Sequence, residues 1–145
     1  MNTLRAILLL AVLCTSFPAK VASQGHTEAV LLCHGLGETV GMIHDQRENG
    51  VSDENNRGLA ILEQLEQELE QDLLPVVDKF LENTTPLPAA WRATLFTHAC
   101  LYNYTEDTEQ VVLMSQLINQ QCNLKRTEAS CIDKVFASLP SHQVI

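Results

Sequence analysis

Positive charge is scarce in this sequence. Nine Lys and Arg stand against eighteen Asp and Glu in 145 residues, a net charge of −9. Nucleic acids and anionic membrane surfaces are gripped through clustered Lys and Arg, so an acidic balance argues against both as partners. Long apolar runs are also missing. The run from Ala6 to Cys14 falls well short of the ~20 residues that span a bilayer, and no second run reaches that length. Alternating apolar and polar stretches bounded by turns, the mark of half-buried strands, are few. Apolar residues recur instead at three-to-four spacing, which predicts helices.

Catalytic and ligand-binding motifs are absent too. The chain has no G-x-S-x-G, no H-E-x-x-H and no C-x-x-C. The stretch "CHGLGETVGMIH", Cys33 to His44, tempts with three glycines, two histidines and a cysteine. A dinucleotide fingerprint needs G-x-G-x-x-G after a strand. Here Gly41 falls one position late, and no strand precedes it. His34 and His44 lie ten residues apart, about 80° around a helix and about 15 Å along it, so they cannot share one ion. Downstream, Asp45, Asn49, Gly50 and Asp53 fit the first, fifth, sixth and ninth places of a calcium loop. Arg47 and Asn56 take the third and twelfth places, where an oxygen ligand and a bidentate Glu belong. The expectation is no metal, no cofactor and no enzyme.

What is present starts with a secretory signal. "MNTLR" carries one positive charge, "AILLLAVLC" is a short apolar core, and Val21 and Ser23 are small residues before a cut at Gln24. Residues 1–23 read as signal peptide and residues 24–145 as one secreted domain. Loss of Arg5 and Lys20 moves the net charge to −11. Loss of Cys14 leaves Cys33, Cys100, Cys122 and Cys131, an even set in an oxidising compartment.

The pattern predicts an all-α domain, a single small bundle of about five or six helices stapled by two disulfides. Thr27 is placed as cap of a first helix with Leu32, Leu36, Val40 and Ile43 on its inner stripe. Gly50 stops it, and Ser52 caps the restart. The second helix carries Leu62, Leu65, Leu69 and Leu73 on one face and Glu63, Glu66 and Glu70, with Glu68 and Asp72 beside them, on the other. Pro75 kinks or breaks it. Pro88 opens a helix with Trp91, Leu95 and Ala99 or His98 inward. Asp107 and Gln110 resemble a capping box ahead of Val111, Met114, Leu117 or Ile118, and Cys122. Thr127 starts a last helix with Cys131, Val135 and Leu139 inward, and Pro140 stops it.

Helix geometry selects the disulfide pairing. Antiparallel helices joined at "LYNYTED" would hold Cys100 and Cys122 roughly 22 Å apart, against the 4.4–6.8 Å a disulfide allows. Cys122 and Cys131 flank a tight turn. The expected bridges are therefore Cys33–Cys100 and Cys122–Cys131. Two sequons, at Asn83 and Asn103, fall in expected surface loops. Pro86 handicaps the first.

Three functional classes fit. A protein-binding inhibitor would use the acidic face of Glu63, Glu66 and Glu70 to steer toward basic surfaces. A carrier of small hydrophobic ligands is the alternative. The C-x8-C of Cys122 and Cys131 resembles the last cysteine pair of insect odorant-binding proteins, but that family has six cysteines and a C-x3-C. A four-helix cytokine would need fewer, longer helices and long crossovers. The layout as a whole resembles the small helical salivary proteins of anopheline mosquitoes, of the anophensin and albicin type. The likeness rests on the signal peptide, about 120 mature residues, four cysteines, the helical pattern along the full mature chain and the segment "CHGLGETVGMIHDQRENGVSDENNRG". That resemblance implies a secreted salivary protein that impairs host haemostasis or complement. It would bind and inhibit components of the contact (kallikrein–kinin) system or the alternative complement pathway, without catalysis.

Overall fold

The computed structural model describes residues 17–126 and 128–139, with backbone alone for 17–24. The charged start and apolar core of the expected signal, with Cys14, lie outside the described residues, as do Thr127 and Pro140. Among the described residues the chain is all helix, with no strand. Six α-helices follow in order: α1 Phe17–Glu48, α2 Arg57–Leu69, α3 Leu74–Asn83, α4 Ala89–Leu101, α5 Thr108–Gln121 and α6 Ala129–Ala137. A 3-10 turn, Asp53–Asn55, links α1 to α2. The chain divides into two compact units, one up to Leu32 and one from Cys33 onward. In the first unit, residues 25–32 are exposed.

Thr27 is not a cap. It lies inside α1, which runs without a break through Gly25, Gly35, Gly37 and Gly41. Leu36, Val40 and Ile43 are buried as the three-to-four spacing requires, while Leu32 stays 36% exposed. The inner stripe therefore begins at Cys33, where the second unit begins. Gly50 ends the helix region with φ +77, a conformation that costs glycine nothing.

The restart differs in detail from the sequence reading. Ser52 precedes only the 3-10 turn, and its side chain makes no cap bond. Asn56 caps α2 instead: its Oδ1 accepts from the N–H groups of Gly58 at 3.0 Å and Leu59 at 3.2 Å. Its Nδ2 donates to the Ile43 carbonyl at 3.1 Å, so one buried side chain caps α2 and binds it to α1. Pro75 neither kinks nor breaks the second helix, which has already ended before it. The helix ends at Leu69, Glu70 takes a left-handed φ of 53, and Pro75 stands in the first turn of α3, where its missing N–H costs nothing.

The remaining helices follow the expected faces. Pro88 precedes α4, which buries Trp91, Leu95 and Ala99 and leaves His98 half-buried. Asp107 caps α5 by accepting from Gln110 N, and Val111, Met114 and Ile118 are buried behind it. Helix α6 begins at Ala129 after Glu128, and Val135 is buried on it. These side chains, with Leu62 from α2 and Phe80 from α3, make one core. Phe80 meets Phe96 edge-on, with ring centroids 4.9 Å apart. Cys33–Cys100 joins α1 to α4, and Cys122–Cys131 joins the end of α5 to α6, which are the pairings expected from helix geometry.

The glycines of α1 divide by what they face. A Cβ on Gly37 would run into the Thr97 hydroxyl and lie 2.6 Å from the Ala93 carbonyl oxygen, and one on Gly41 would lie 2.8 Å from the Ala93 Cβ. These two, four residues apart, let α1 and α4 meet closely. Gly35 has nothing within 4 Å of such a Cβ. Gly41→Leu is expected to lower stability by about 1–3 kcal/mol through overpacking. Gly35→Ala is expected to raise it by about 0.5–1 kcal/mol, because Ala is the better helix former and meets nothing. Urea unfolding of both variants checks the pair; equal shifts would remove the close α1–α4 approach as the cause.

Candidate functional site

The acidic face is built by the end of α2. Residues 63, 66 and 70 recur at helical spacing, so their side chains share one side. Glu63 and Glu70 are exposed, and Glu66 is half-buried. The left-handed Glu70 then turns the chain back. Its N–H and that of Gln71 both donate to the Glu66 carbonyl. This return brings Glu63, Glu66, Gln67, Glu70, Gln71 and Asp72 around one open concavity. All six residues around it are acids or amides, with no Lys or Arg among them. Asp72 joins the group expected from the sequence, whereas Glu68 does not line it.

The three expected glutamates are not equivalent. Glu66 Oε1 accepts from the N–H groups of Leu73 and Leu74, each at 2.7 Å. Those donors open α3 and have no partner within their own helix. Glu66 therefore caps α3 and shapes the concavity, while Glu63, Glu70 and Asp72 remain as exposed charges. No sequence rule separates Glu66 from its neighbours, because the contact depends on where the chain returns after the helix ends.

A second polar cluster, which no sequence motif marks, lies around Arg92. Arg92 on α4 is only 4% exposed, and among the described residues no carboxylate forms a direct ion pair with it. Its guanidinium donates to three main-chain carbonyls: Leu87 at 2.6 Å, Leu81 at 3.1 Å and Thr85 at 2.6 Å. Nη1 also lies 3.2 Å from His44 Nδ1 on α1. Arginine has no acceptor to offer, so His44 Nδ1 accepts and the ring proton sits on Nε2. Nε2 lies 3.2 Å from Glu48 Oε1, too poorly aligned for a hydrogen bond. The side chain of Arg92 thus ties the end of α3 and the turn after it to α1.

The arrangement makes His44 sensitive to acid. Burial first, then the Arg92 charge, lowers its pKa below 6.5, while Glu48 and Asp45 oppose and Arg47 reinforces the shift. Between that lowered pKa and 6.5 the unfolded chain binds more protons than the folded one, so stability rises with pH across the interval. The contribution is complete above about pH 6.5 and is lost as pH falls below it. Denaturant midpoints are expected to fall between about pH 7 and about pH 5.5, and His44→Gln, which keeps an acceptor for Arg92, is expected to flatten that slope. The same slope in the variant would assign the effect to other groups.

The calcium-like loop is closed by an ion pair. Arg47 donates from Nε and Nη2 to the two carboxylate oxygens of Asp53, both at 2.9 Å, and from Nη1 to Asp78 at 2.8 Å. The first of these bonds holds the Asp53 carboxyl below its ordinary pKa. The residue that spoils the calcium pattern is the one that fixes the turn and joins α1 to α3. His34 lies far from this cluster in character: it is exposed and pairs loosely with Glu38 at 3.5 Å.

The two sequons differ in setting. Asn103 is exposed in the turn between α4 and α5, as expected. Asn83 is not in a loop: it is the last residue of α3 and half-buried, and Thr84 after it is buried. The Thr84 hydroxyl and the Arg92 guanidinium take up the Phe80 and Leu81 carbonyls at the end of this helix. No described helix is long and apolar enough to cross a membrane. No protein-family model, curated protein or solved structure matches this chain.

Proposed function

We propose that the chain is a secreted, non-enzymatic salivary protein. It binds a basic surface on a host plasma protein and so inhibits a proteolytic cascade, either the contact (kallikrein–kinin) system or the alternative complement pathway. The observation that carries this reading is the acidic concavity at the end of α2, with Glu63, Glu70 and Asp72 exposed at a fixed turn. A field of one sign on a fixed surface speeds encounter with a basic partner and orients it. The two disulfides suit an oxidising, extracellular setting, and passage through the secretory route also exposes the sequons to glycan transfer. The concavity is shallow and open to solvent rather than an enclosed apolar cavity, so it does not favour a carrier of hydrophobic ligands.

The test is a pull-down from vertebrate plasma with mass spectrometry, joined to contact-activation and alternative-pathway assays. The protein is expected to slow one of the two cascades at sub-micromolar levels. Combined Glu63→Gln, Glu70→Gln and Asp72→Asn should weaken that effect and its salt dependence while leaving the fold intact, since Glu66 keeps its cap. Failure to slow either cascade would remove the inhibitor reading. Inhibition that ignores both salt and the substitutions would move the interface away from α2.

A further inference from the structure

We infer that Asn103 carries an N-linked glycan and that Asn83 does not. This inference rests on the reading of the chain as secreted. Both asparagines open an N-x-Thr sequon with no proline at the middle position: Asn103-Tyr104-Thr105 and Asn83-Thr84-Thr85. Their surroundings separate them.

Asn103 is exposed in the α4–α5 turn, with a left-handed φ of 55. Its neighbours hold the turn without using its side chain. The Tyr104 N–H donates to the Ala99 carbonyl at 2.8 Å, and the Asp107 N–H to the Tyr104 carbonyl at 3.0 Å. Tyr104 is buried and the Tyr102 ring packs on Phe136 at 4.4 Å, so the residues on either side anchor the turn to the core and to α6. Three residues earlier, Cys100 is bonded to Cys33. A bulky hydrated group on Asn103 therefore displaces no packing.

Asn83 sits in the opposite setting. It is half-buried at the end of α3. The Thr84 hydroxyl donates to the Phe80 carbonyl at 2.9 Å and the Thr85 hydroxyl to the Glu82 carbonyl at 2.6 Å. Arg92 grips the carbonyls of Leu81 and Thr85 on both sides. Pro86 follows the sequon directly. A glycan there would have to be accommodated by the segment that the buried guanidinium holds down.

The transfer itself needs a polyprenyl-diphosphate-linked oligosaccharide as donor. The Asn103 carboxamide nitrogen forms a bond to the anomeric carbon of the first sugar. The bond from that carbon to the diphosphate oxygen breaks, the polyprenyl diphosphate leaves, and the amide nitrogen gives up one proton.

The full chain should be expressed in insect cells and recovered from the medium, then treated with a glycan-releasing amidase. One mobility shift is expected for the natural sequence and for Asn83→Gln, and none for Asn103→Gln. Asparagine also suits the left-handed backbone at this position, so the substitution to glutamine can disturb the turn on its own account. Thr105→Ala leaves Asn103 in place and should also abolish the shift, whereas Thr105→Ser should keep it. A shift that survives Asn103→Gln or disappears with Asn83→Gln overturns the assignment. Secreted but unmodified protein overturns the glycan and leaves secretion standing. Unmodified protein held in the cells with residues 1–23 uncleaved overturns both.

Discussion

Arg92→Ala should cost this fold about 3–5 kcal/mol, measured as a loss in urea unfolding free energy. The guanidinium holds three main-chain carbonyls, and hydrogen bonds to a charged donor are worth about 1.5–3 kcal/mol each when they stand alone. Three bonds from one group are not additive, and water admitted to the space restores part of the loss. What water cannot restore is the connection. One side chain binds the Leu81 carbonyl at the end of α3, the Thr85 and Leu87 carbonyls in the turn, and His44 on α1. Burial lowers the Arg92 pKa, yet a guanidinium remains charged at any ordinary pH. Carbonyl oxygens supply partial negative charge at the guanidinium, and the Glu48 charge opposes the effect of burial. Arg92→Lys should recover only a minor part of the loss, since an ammonium is a point donor and cannot span three acceptors set as a fork. A loss below about 1 kcal/mol for Arg92→Ala would show that the turn holds itself.

The contrast with Arg47 shows why one cation was legible and the other was not. Arg47 stood out in the sequence by occupying a calcium-ligand position, and the structure gives it Asp53 and Asp78 as partners. Arg92 stands in "WRATLFTH", between an apolar inner stripe and polar neighbours, and its partners are main-chain atoms that no side-chain pattern reveals. Caps divide the same way. Asp107 was legible because its acceptor lies three residues from its donor. Ser52 and Asn56 have equal capping power, and the cap falls to Asn56, whose amide also reaches the Ile43 carbonyl. Glu66 read as a surface charge because its cap partners are seven and eight residues away, across a turn.

Helix faces are legible for a simple reason. Three-to-four spacing is set by the helix itself, so Val40, Ile43, Leu62, Leu95 and Met114 fall inward wherever the neighbouring helices come from. Gly37 and Gly41 share a face by the same arithmetic, and that face meets Ala93 and Thr97. Where a helix begins is a weaker signal. Thr27 has the chemistry of a cap, yet the preceding residues 17–26 are themselves helical, so the hydroxyl lies inside α1. The acidic site is partly legible: Glu63, Glu66 and Glu70 follow from spacing, and of the two acids expected beside them the turn at Glu70 brings in Asp72 and leaves out Glu68.

Removing the Cys33–Cys100 bridge, as Cys33→Ala with Cys100→Ala, should cost about 4 kcal/mol, and removing Cys122–Cys131 in the same way about 3 kcal/mol. The order follows from loop size. The first bridge closes a loop across 67 residues and the second across 9, and the entropy that a bridge removes from the unfolded chain grows with the logarithm of that length. Both Cα separations, 5.5 Å and 6.0 Å, lie inside the normal range, so neither bridge requires the helices to move. Packing acts in the same direction. Cys33 is 6% exposed, one helical turn before the Gly37 and Gly41 contact, so the long bridge also fixes the end of the α1–α4 crossing. Against a total of about 5–15 kcal/mol for a domain of this size, the double substitution removes a large share of the stability. Thermal and urea unfolding of the two double variants, each beside the natural sequence, measures the order directly. A greater loss from the short bridge would mean that the α5–α6 turn, rather than the link between α1 and α4, limits the stability of the bundle.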